Sequence, residues 1–241
     1  MNVLIVHAHY EPRSFTTAMK DAAVETLRAA GHEVEVSDLY AMGFDPVAKK
    51  TDFAEPKNPD YTVYSLEQRH GWSNGTIAPD VKAEVEKLLA ADLVIFSFPI
   101  FWFSVPAIMK GWIDRVLLSG VCFGGVRFYD RGGLRGKRAL VAATLGGRDY
   151  MFDGPSSVHG PIEDMLRHLL RGTLGYVGLD VLKPFFGWHV PYIDDAERQK
   201  ILDAYKARLA TVFTETPLNL YPSLSDFDSV MRPLAGASIT R

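Results

Sequence analysis

The stretch that most constrains this chain is Asp92-Leu-Val-Ile-Phe-Ser-Phe98 together with the residues beyond it, as far as Leu117. The first part is a continuous apolar run rich in β-branched and aromatic residues. Such a run is expected of a strand buried on both faces, as in a parallel sheet. Pro99 ends it. Ser104 is a helix-capping residue type, and Pro106 suits a first helical turn, where a missing N–H loses no partner. Between them, Ile100, Phe101, Trp102 and Phe103 fall at the carboxyl end of the expected central strand. Open α/β sheets bind ligands at that edge. A loop there with backbone N–H groups beside aromatic faces suits a flat, polar-edged ring; filling a core or a dimer seam is the other use of such side chains. Leu93 to Met109 carries no charge, but two prolines interrupt it. A membrane span needs ~20 continuous apolar residues, so no transmembrane segment is expected.

The chain has 241 residues, 47% of them hydrophobic, enough for one sizeable core. A single α/β domain over 1–213 is expected. From Glu215 the tail carries Pro217, Pro222 and Pro233, so 214–241 reads as irregular and packed on the domain or on a dimer partner. The net charge is −3 with no long basic run, which disfavours nucleic acid. The single Cys122 excludes an intrachain disulfide framework and fits a reducing compartment. It reads as a small buried hydrophobe rather than a nucleophile. The N-terminus opens directly into a strand, with no basic segment ahead of a cleavable apolar one. A cytoplasmic location is expected.

Taken in order, Val3 to Val6 is a short buried strand, and Ser14 caps a helix from Phe15 to about Ala30, which Gly31 ends. His32 to Val36 alternates like a strand, giving a βαβ opening. The first βα loop lacks G-x-G-x-x-G, so the usual dinucleotide fingerprint is absent. It offers instead Arg13, Ser14, Thr16 and Thr17 at a helix N-terminus, where free N–H groups, hydroxyls and the helix dipole favour an anion. A flavin nucleotide's phosphate would suit it; ordinary capping explains Ser14 but not four residues. Tyr40 to Ile77 is polar and reads as a long surface excursion. Pro79 to Ala90 is helical, with Val81, Val85, Leu88 and Leu89 at helical spacing. Ser119 to Gly136 is glycine-rich, with the wrong spacing for a P-loop. Its Phe123, Phe128 and Tyr129 either wall a substrate pocket or pack on one another. Arg138 to Thr144 is another buried strand, running into Gly146-Gly147, where a backbone can approach a ligand closely. Tyr150, Phe152 and His159 come next. Ile162 to Leu174 is a helix, Val181 to Phe186 a fifth strand and Asp194 to Val212 a last helix. These elements make a flavodoxin-like, doubly wound, five-stranded parallel sheet of order 2-1-3-4-5, with its ligand site in the loops after strands one, three and four.

Several uncommon segments resemble one family together and in order. They are FPIFWFSVPAIMKGWIDRVL, His7-Ala8-His9, Arg13-Ser14-Phe15, Ser37-Asp38-Leu39-Tyr40-Ala41-Met42 and Thr144-Leu145-Gly146-Gly147. The family is the NAD(P)H:quinone oxidoreductases, or DT-diaphorases, and the likeness runs from about Val3 to the final residues. It implies a flavodoxin-like fold, FAD in preference to FMN, NADH or NADPH as reductant, a quinone acceptor and a homodimer with shared active sites. Two-electron reduction by a ping-pong mechanism is expected of one pocket used in turn. Cofactor contacts are implied for His9, Phe15 and Thr16, the last replacing an asparagine, beside Ser14. The segment Pro99, Ile100, Phe101, Trp102 and Phe103 would hold one edge of the flavin, and Thr144, Leu145, Gly146 and Gly147 the other. Arg198 matches a basic residue near the adenosine end. Trp102, Phe103, Phe123, Phe128 and His159 would form the substrate pocket.

In the family a tyrosine and a histidine after the Gly-Gly pair face the charge of the reduced ring. Here His159 is shifted by one residue and Phe152 stands where the tyrosine should be, so Tyr150 is the hydroxyl expected to act with His159. Some members hold a structural metal with two histidines and a cysteine; those histidine positions are Arg171 and Gly175 here, and no metal is expected. An FMN-dependent azo- or nitro-reductase, and a non-catalytic flavin-bound regulator docking on a transporter or another protein, are the other readings.

Overall fold

In the computed structural model, which describes residues 1–235, the strand order is β2-β1-β3-β4-β5. The strands are β1 Asn2–His7, β2 Glu33–Asp38, β3 Leu93–Pro99, β4 Arg138–Thr144 and β5 Asp180–Val181. Every ladder is parallel. This is the flavodoxin-like order expected from the sequence, with one correction. The fifth strand, expected over Val181 to Phe186, is broken into β5 and β6, Phe185–Gly187, which both pair with β4. Pro184 has no N–H to give a ladder. The Arg208 guanidinium also takes the carbonyls of Lys183 and Pro184.

The central strands divide the core as their alternation requires. Leu93, Ile95, Leu140 and Ala142 face one layer, with Met19 and Leu27 of α1, Phe15–Ala29, and Tyr205 and Leu209 of α7, Asp195–Leu209. Val94, Phe96, Phe98 and Val141 face the other, with Val85 and Leu88 of α3, Pro79–Ala90, and Trp112 of α4, Ala107–Val116. Fully burying each large side chain stabilises by roughly 1.5–3 kcal/mol. α1 begins where Ser14 Oγ accepts the Thr17 N–H at 3.1 Å, and ends with Gly31 at φ +81°. The helix expected from Ile162 to Leu174 is irregular: α5, Ile162–Met165, then α6, Arg167–Leu169, then a π turn, Leu170–Gly175. Gly172 is a weak helix former in its interior.

The excursion from Tyr40 to Ile77 differs from its sequence reading. It contains α2, Tyr64–Asn74, and sends Phe44, Phe53, Asp52, Glu67 and Gln68 into the interior. Arg115 of α4, 2% exposed, holds it down. Its guanidinium donates to both Asp52 oxygens at 3.2 and 2.8 Å, to Asp80 at 2.7 Å and to the Asp45 carbonyl at 2.8 Å. Burial alone would raise the Asp52 pKa. Hydrogen bonds from Arg115, Tyr64 and the Lys49 N–H outweigh it and hold the carboxyl below its ordinary value.

Beyond α7, Leu218 N–H donates to the Val181 carbonyl, Leu224 N–H to Asp130, and Tyr221 stacks on Tyr129 at 4.7 Å. No helix among the described residues is long and apolar enough to cross a membrane. The uncharged stretch Leu93 to Met109 is a strand, a turn and the start of α4.

Candidate functional site

The carboxyl ends of β1, β3 and β4 and the N-termini of α1 and α7 surround a cavity of about 640 Å³. His9, Arg13, Ser14, Phe15 and Thr16 line one side, Pro99, Ile100 and Phe101 the floor. Thr144, Leu145 and Gly146 form the next wall, with Val190, Asp195 and Arg198 beyond. The loops after strands one, three and four thus meet at one crevice, where doubly wound sheets take ligands.

The α1 end suits an anion. The Phe15 and Thr16 N–H groups precede the first intrahelical bond and face the dipole's positive end. Arg13 is exposed beside Glu11 at 3.3 Å, and Arg198 is steadied by Asp195 at 2.8 Å and the Val190 carbonyl at 3.3 Å. Thr16 Oγ1 meets Thr144 Oγ1 at 2.7 Å, tying α1 to the end of β4. His9 Nδ1 accepts the Glu11 N–H at 3.0 Å, and partial burial lowers its pKa.

Beneath this end lies His7, fully buried. Thr17 donates its one hydroxyl proton to the Glu11 carbonyl at 3.1 Å. His7 Nε2, 3.3 Å away, must therefore donate to Thr17, and Nδ1 accepts from Ser97 Oγ at 3.0 Å. Burial pushes the His7 pKa down from 6.5 to about 4. The unfolded chain therefore binds a proton that the native state refuses between those values. Stability falls as pH drops through that window and is flat for this group below it. Lowering the pH from 7 to 5 is expected to cost about 2 kcal/mol through His7. His7→Gln should remove that part of the slope in urea unfolding at the two pH values; an unchanged slope would refute it.

On the floor, Phe101 and Ser104 exchange two backbone hydrogen bonds of 3.0 Å around Trp102, φ 51°, and Phe103, φ 56°. This is a two-residue turn of the kind that normally carries Asn-Gly. Bulky side chains held there cost about 1–3 kcal/mol each, a strain that concentrates at functional sites. Trp102 is 95% exposed at its tip. The sequence expectation that Ser104 caps α4 is corrected: Pro106 stands at the N-cap position, with no side-chain capping bond. Val105 precedes a proline and is kept out of the helical region, so α4 begins only after Pro106, and Ser104 Oγ meets His168 Nε2 at 3.0 Å.

His159 lies against this turn, its ring 5.5 Å from Phe103 and 4.7 Å from Phe152. Phe152 is buried and also meets Trp188 at 5.5 Å. Gly147 packs under it: a Cβ there would come within 2.7 Å of the Phe152 ring. Tyr150 is 64% exposed and lines a neighbouring cavity with Asp149, Asp153 and Trp188. The fold thus brings His159, Phe152 and Phe103 together and leaves the Tyr150 ring apart. Phe123 and Phe128 belong to a second aromatic cluster, both on Tyr176, at 5.7 and 5.5 Å. The two clusters share no ring contact among the described residues. Sequence reasoning missed the wall at Val190 to Asp195 and missed His189 and His168. Only the Asp194 cap ahead of α7 signalled a helix end that could face the crevice.

The family model described as a flavodoxin-like fold matches residues 1–210. NAD(P)H dehydrogenase (quinone) 1 of Rattus norvegicus is 42% identical over 221 residues, spanning 91% of this chain and 80% of that one. Ribosyldihydronicotinamide dehydrogenase (quinone) of Homo sapiens is 42% identical over 217 residues, spanning 90% and 94%. A solved structure from Klebsiella pneumoniae, described provisionally as a quinone reductase, superposes with a TM-score of 0.92 at 36% identity, covering 100% of this chain and 97% of that one. The chain belongs to the flavodoxin-like family of quinone-reducing dehydrogenases, sharing about two-fifths of its aligned residues with the rat and human relatives.

Proposed function

We propose that this chain is a cytoplasmic, homodimeric, FAD-dependent NAD(P)H:quinone oxidoreductase. The observation that carries the reading is the single crevice that joins an anion-binding helix end to a strained aromatic turn and a glycine loop. A bound flavin supplies hydride acceptance and donation. The residues suit that group. Phe15 and Thr16 N–H groups with Ser14 take a phosphate, and Arg198 further along the same wall offers a second cation, which favours FAD over FMN. Thr144 and Leu145 with the Gly146 and Gly147 N–H groups meet one ring edge, and Pro99 to Phe103 the other. His159 holds or releases a proton beside the ring, with Tyr150 as the loop's own hydroxyl. The quinone and the nicotinamide stack in turn against Trp102 and Phe103. Within one chain Phe123 and Phe128 stand apart from that turn, so the second half of the substrate pocket comes from a second copy. The exposed Phe101, Trp102 and Phe103 form the kind of apolar patch that marks an interface.

The FMN-bound azoreductase of Bacillus anthracis shares only the fold, at 16% identity and a TM-score of 0.58. The reductant is the open choice among relatives. This chain is equally similar to NAD(P)H and ribosyldihydronicotinamide dehydrogenases, and it spans 94% of the human example of the second but 80% of the rat example of the first. The test is to purify the protein, release its flavin for mass measurement, and assay a simple quinone with NADH, NADPH and ribosyldihydronicotinamide. FAD and fast NAD(P)H turnover are expected. A chain that stays colourless with FAD and FMN overturns the reading, and turnover with ribosyldihydronicotinamide alone reassigns the reductant. Light scattering should give a mass near twice 26.8 kDa; a fully active single chain contradicts the shared pocket.

A further inference from the structure

Three successive carbonyls after β4 are bound by one short segment on the far wall. The Leu145 carbonyl accepts the Val190 N–H at 3.2 Å, and the Gly147 carbonyl accepts the His189 N–H at 2.9 Å. The Gly146 carbonyl accepts from His189 Nδ1 at 2.7 Å. A carbonyl can only accept, so Nδ1 carries the proton. His189 itself sits in the left-handed region, φ 54°, ψ 24°. A non-glycine residue persists there only when its surroundings impose it.

Every peptide here is trans, and in a trans peptide the N–H points opposite to its own C=O. Fixing the Leu145, Gly146 and Gly147 carbonyls toward Val190 and His189 therefore aims the N–H groups of Gly146, Gly147 and Arg148 the other way. Those of Gly146 and Gly147 donate to no acceptor among the described residues, and Gly146 lines the large cavity. Successive N–H groups aimed together form a concavity that attracts an electron-rich atom. Glycine peptides rotate more freely than any other, so this orientation has to be imposed from outside, and His189 makes two of the three bonds that impose it.

We infer that His189 is a positioning residue that locks the Gly146-Gly147 peptides so that their N–H groups face the electron-rich edge of the flavin. This rests on the flavin reading above. The lock matters most for the reduced ring, whose charge gathers at that edge, so it should tune reduction potential as well as affinity.

The test uses the full chain with FAD and FMN as probes. His189→Gly keeps the backbone conformation and loses the Nδ1 donor. It is expected to weaken oxidised-flavin binding about threefold to tenfold, the worth of one hydrogen bond, and to weaken reduced-flavin binding more, lowering the potential. Asn tolerates the left-handed region and carries an N–H₂ donor, so His189→Asn should recover most of both. His189→Ala should lose both and fold less stably. Wild-type affinity and potential in His189→Gly overturn the inference while leaving the proposed function standing, as does a failure of Asn to recover what Gly loses. A wild-type chain that binds neither flavin overturns the proposed function and this assignment with it.

Discussion

Replacing His159 with Gln is expected to slow flavin reduction by NAD(P)H about 10²-fold, with fold and flavin content unchanged, because one positioned donor or proton carrier is typically worth that much. The ring is packed 4.7 Å from Phe152 and 5.5 Å from Phe103, beside the strained turn that presents Trp102. Imidazole is the side chain best suited to gain or release a proton near neutral pH. Gln keeps a polar end of similar reach without that capacity, so rapid-mixing reduction kinetics isolate the proton role. Tyr150 supplies the second arm. Its ring is 64% exposed and its hydroxyl bonds to no described residue, so Tyr150→Phe should cost much less. If its hydroxyl acts as a unit with His159 once flavin is bound, the double change will cost less than the product of the two single losses. A silent Tyr150→Phe leaves His159 acting alone against Phe152. A silent His159→Gln removes the relay altogether, and the charge of the reduced ring then falls to the Gly146 and Gly147 N–H groups.

Much of the scaffold was legible because its signals are local. The continuous run Leu93 to Phe98 declares a doubly buried strand, and Ser14 with Gly31 brackets α1. The loops after strands one, three and four then had to meet, so His9, Arg13 to Thr16, Pro99 to Phe101 and Thr144 to Gly146 fall on one crevice. The features that stayed hidden depend on partners far along the chain. The fifth strand reads as unbroken over Val181 to Phe186, and the carbonyl capture by Arg208 that accompanies its break at Pro184 is tertiary. Asp52 and Glu67 look like surface residues in sequence, yet each is buried, one on Arg115 and the other on the Lys57 and Asn58 N–H groups. Positive φ at Trp102, Phe103 and His189 leaves no mark in residues that normally avoid it. Phe123 and Phe128 have the composition of a pocket wall, and only the fold separates them from Phe103.

Arg115→Met is expected to destabilise the protein by about 3–5 kcal/mol, the cost of leaving a buried charge unpaired. Asp52 is 1% exposed and keeps only the Tyr64 hydroxyl at 2.5 Å and the Lys49 N–H at 3.2 Å once the guanidinium is gone. The Asp45 carbonyl loses its donor as well, and Phe44 loses the cation 5.2 Å above its ring. Asp80, by contrast, is half exposed and can turn to water. The loss should therefore concentrate in the excursion from Phe44 to Tyr64, whose backbone ought to become a preferred site of limited proteolysis while β1, β3 and β4 stay protected. Asp52→Asn alone should cost less, because a neutral amide can still accept from Arg115. Adding it to Arg115→Met should recover part of the loss, since the remaining partner is no longer charged, and urea unfolding of the four proteins gives the coupling directly. The pH dependence has a definite sign. The Asp52 pKa lies below its ordinary 3.8 in the folded state, so the pair's contribution is fully present above that value and is lost as pH falls through the folded pKa. Additive single and double changes, or an unaltered proteolytic pattern in Arg115→Met, would show that α2 and the packing of Phe53 hold the excursion without the ion pair.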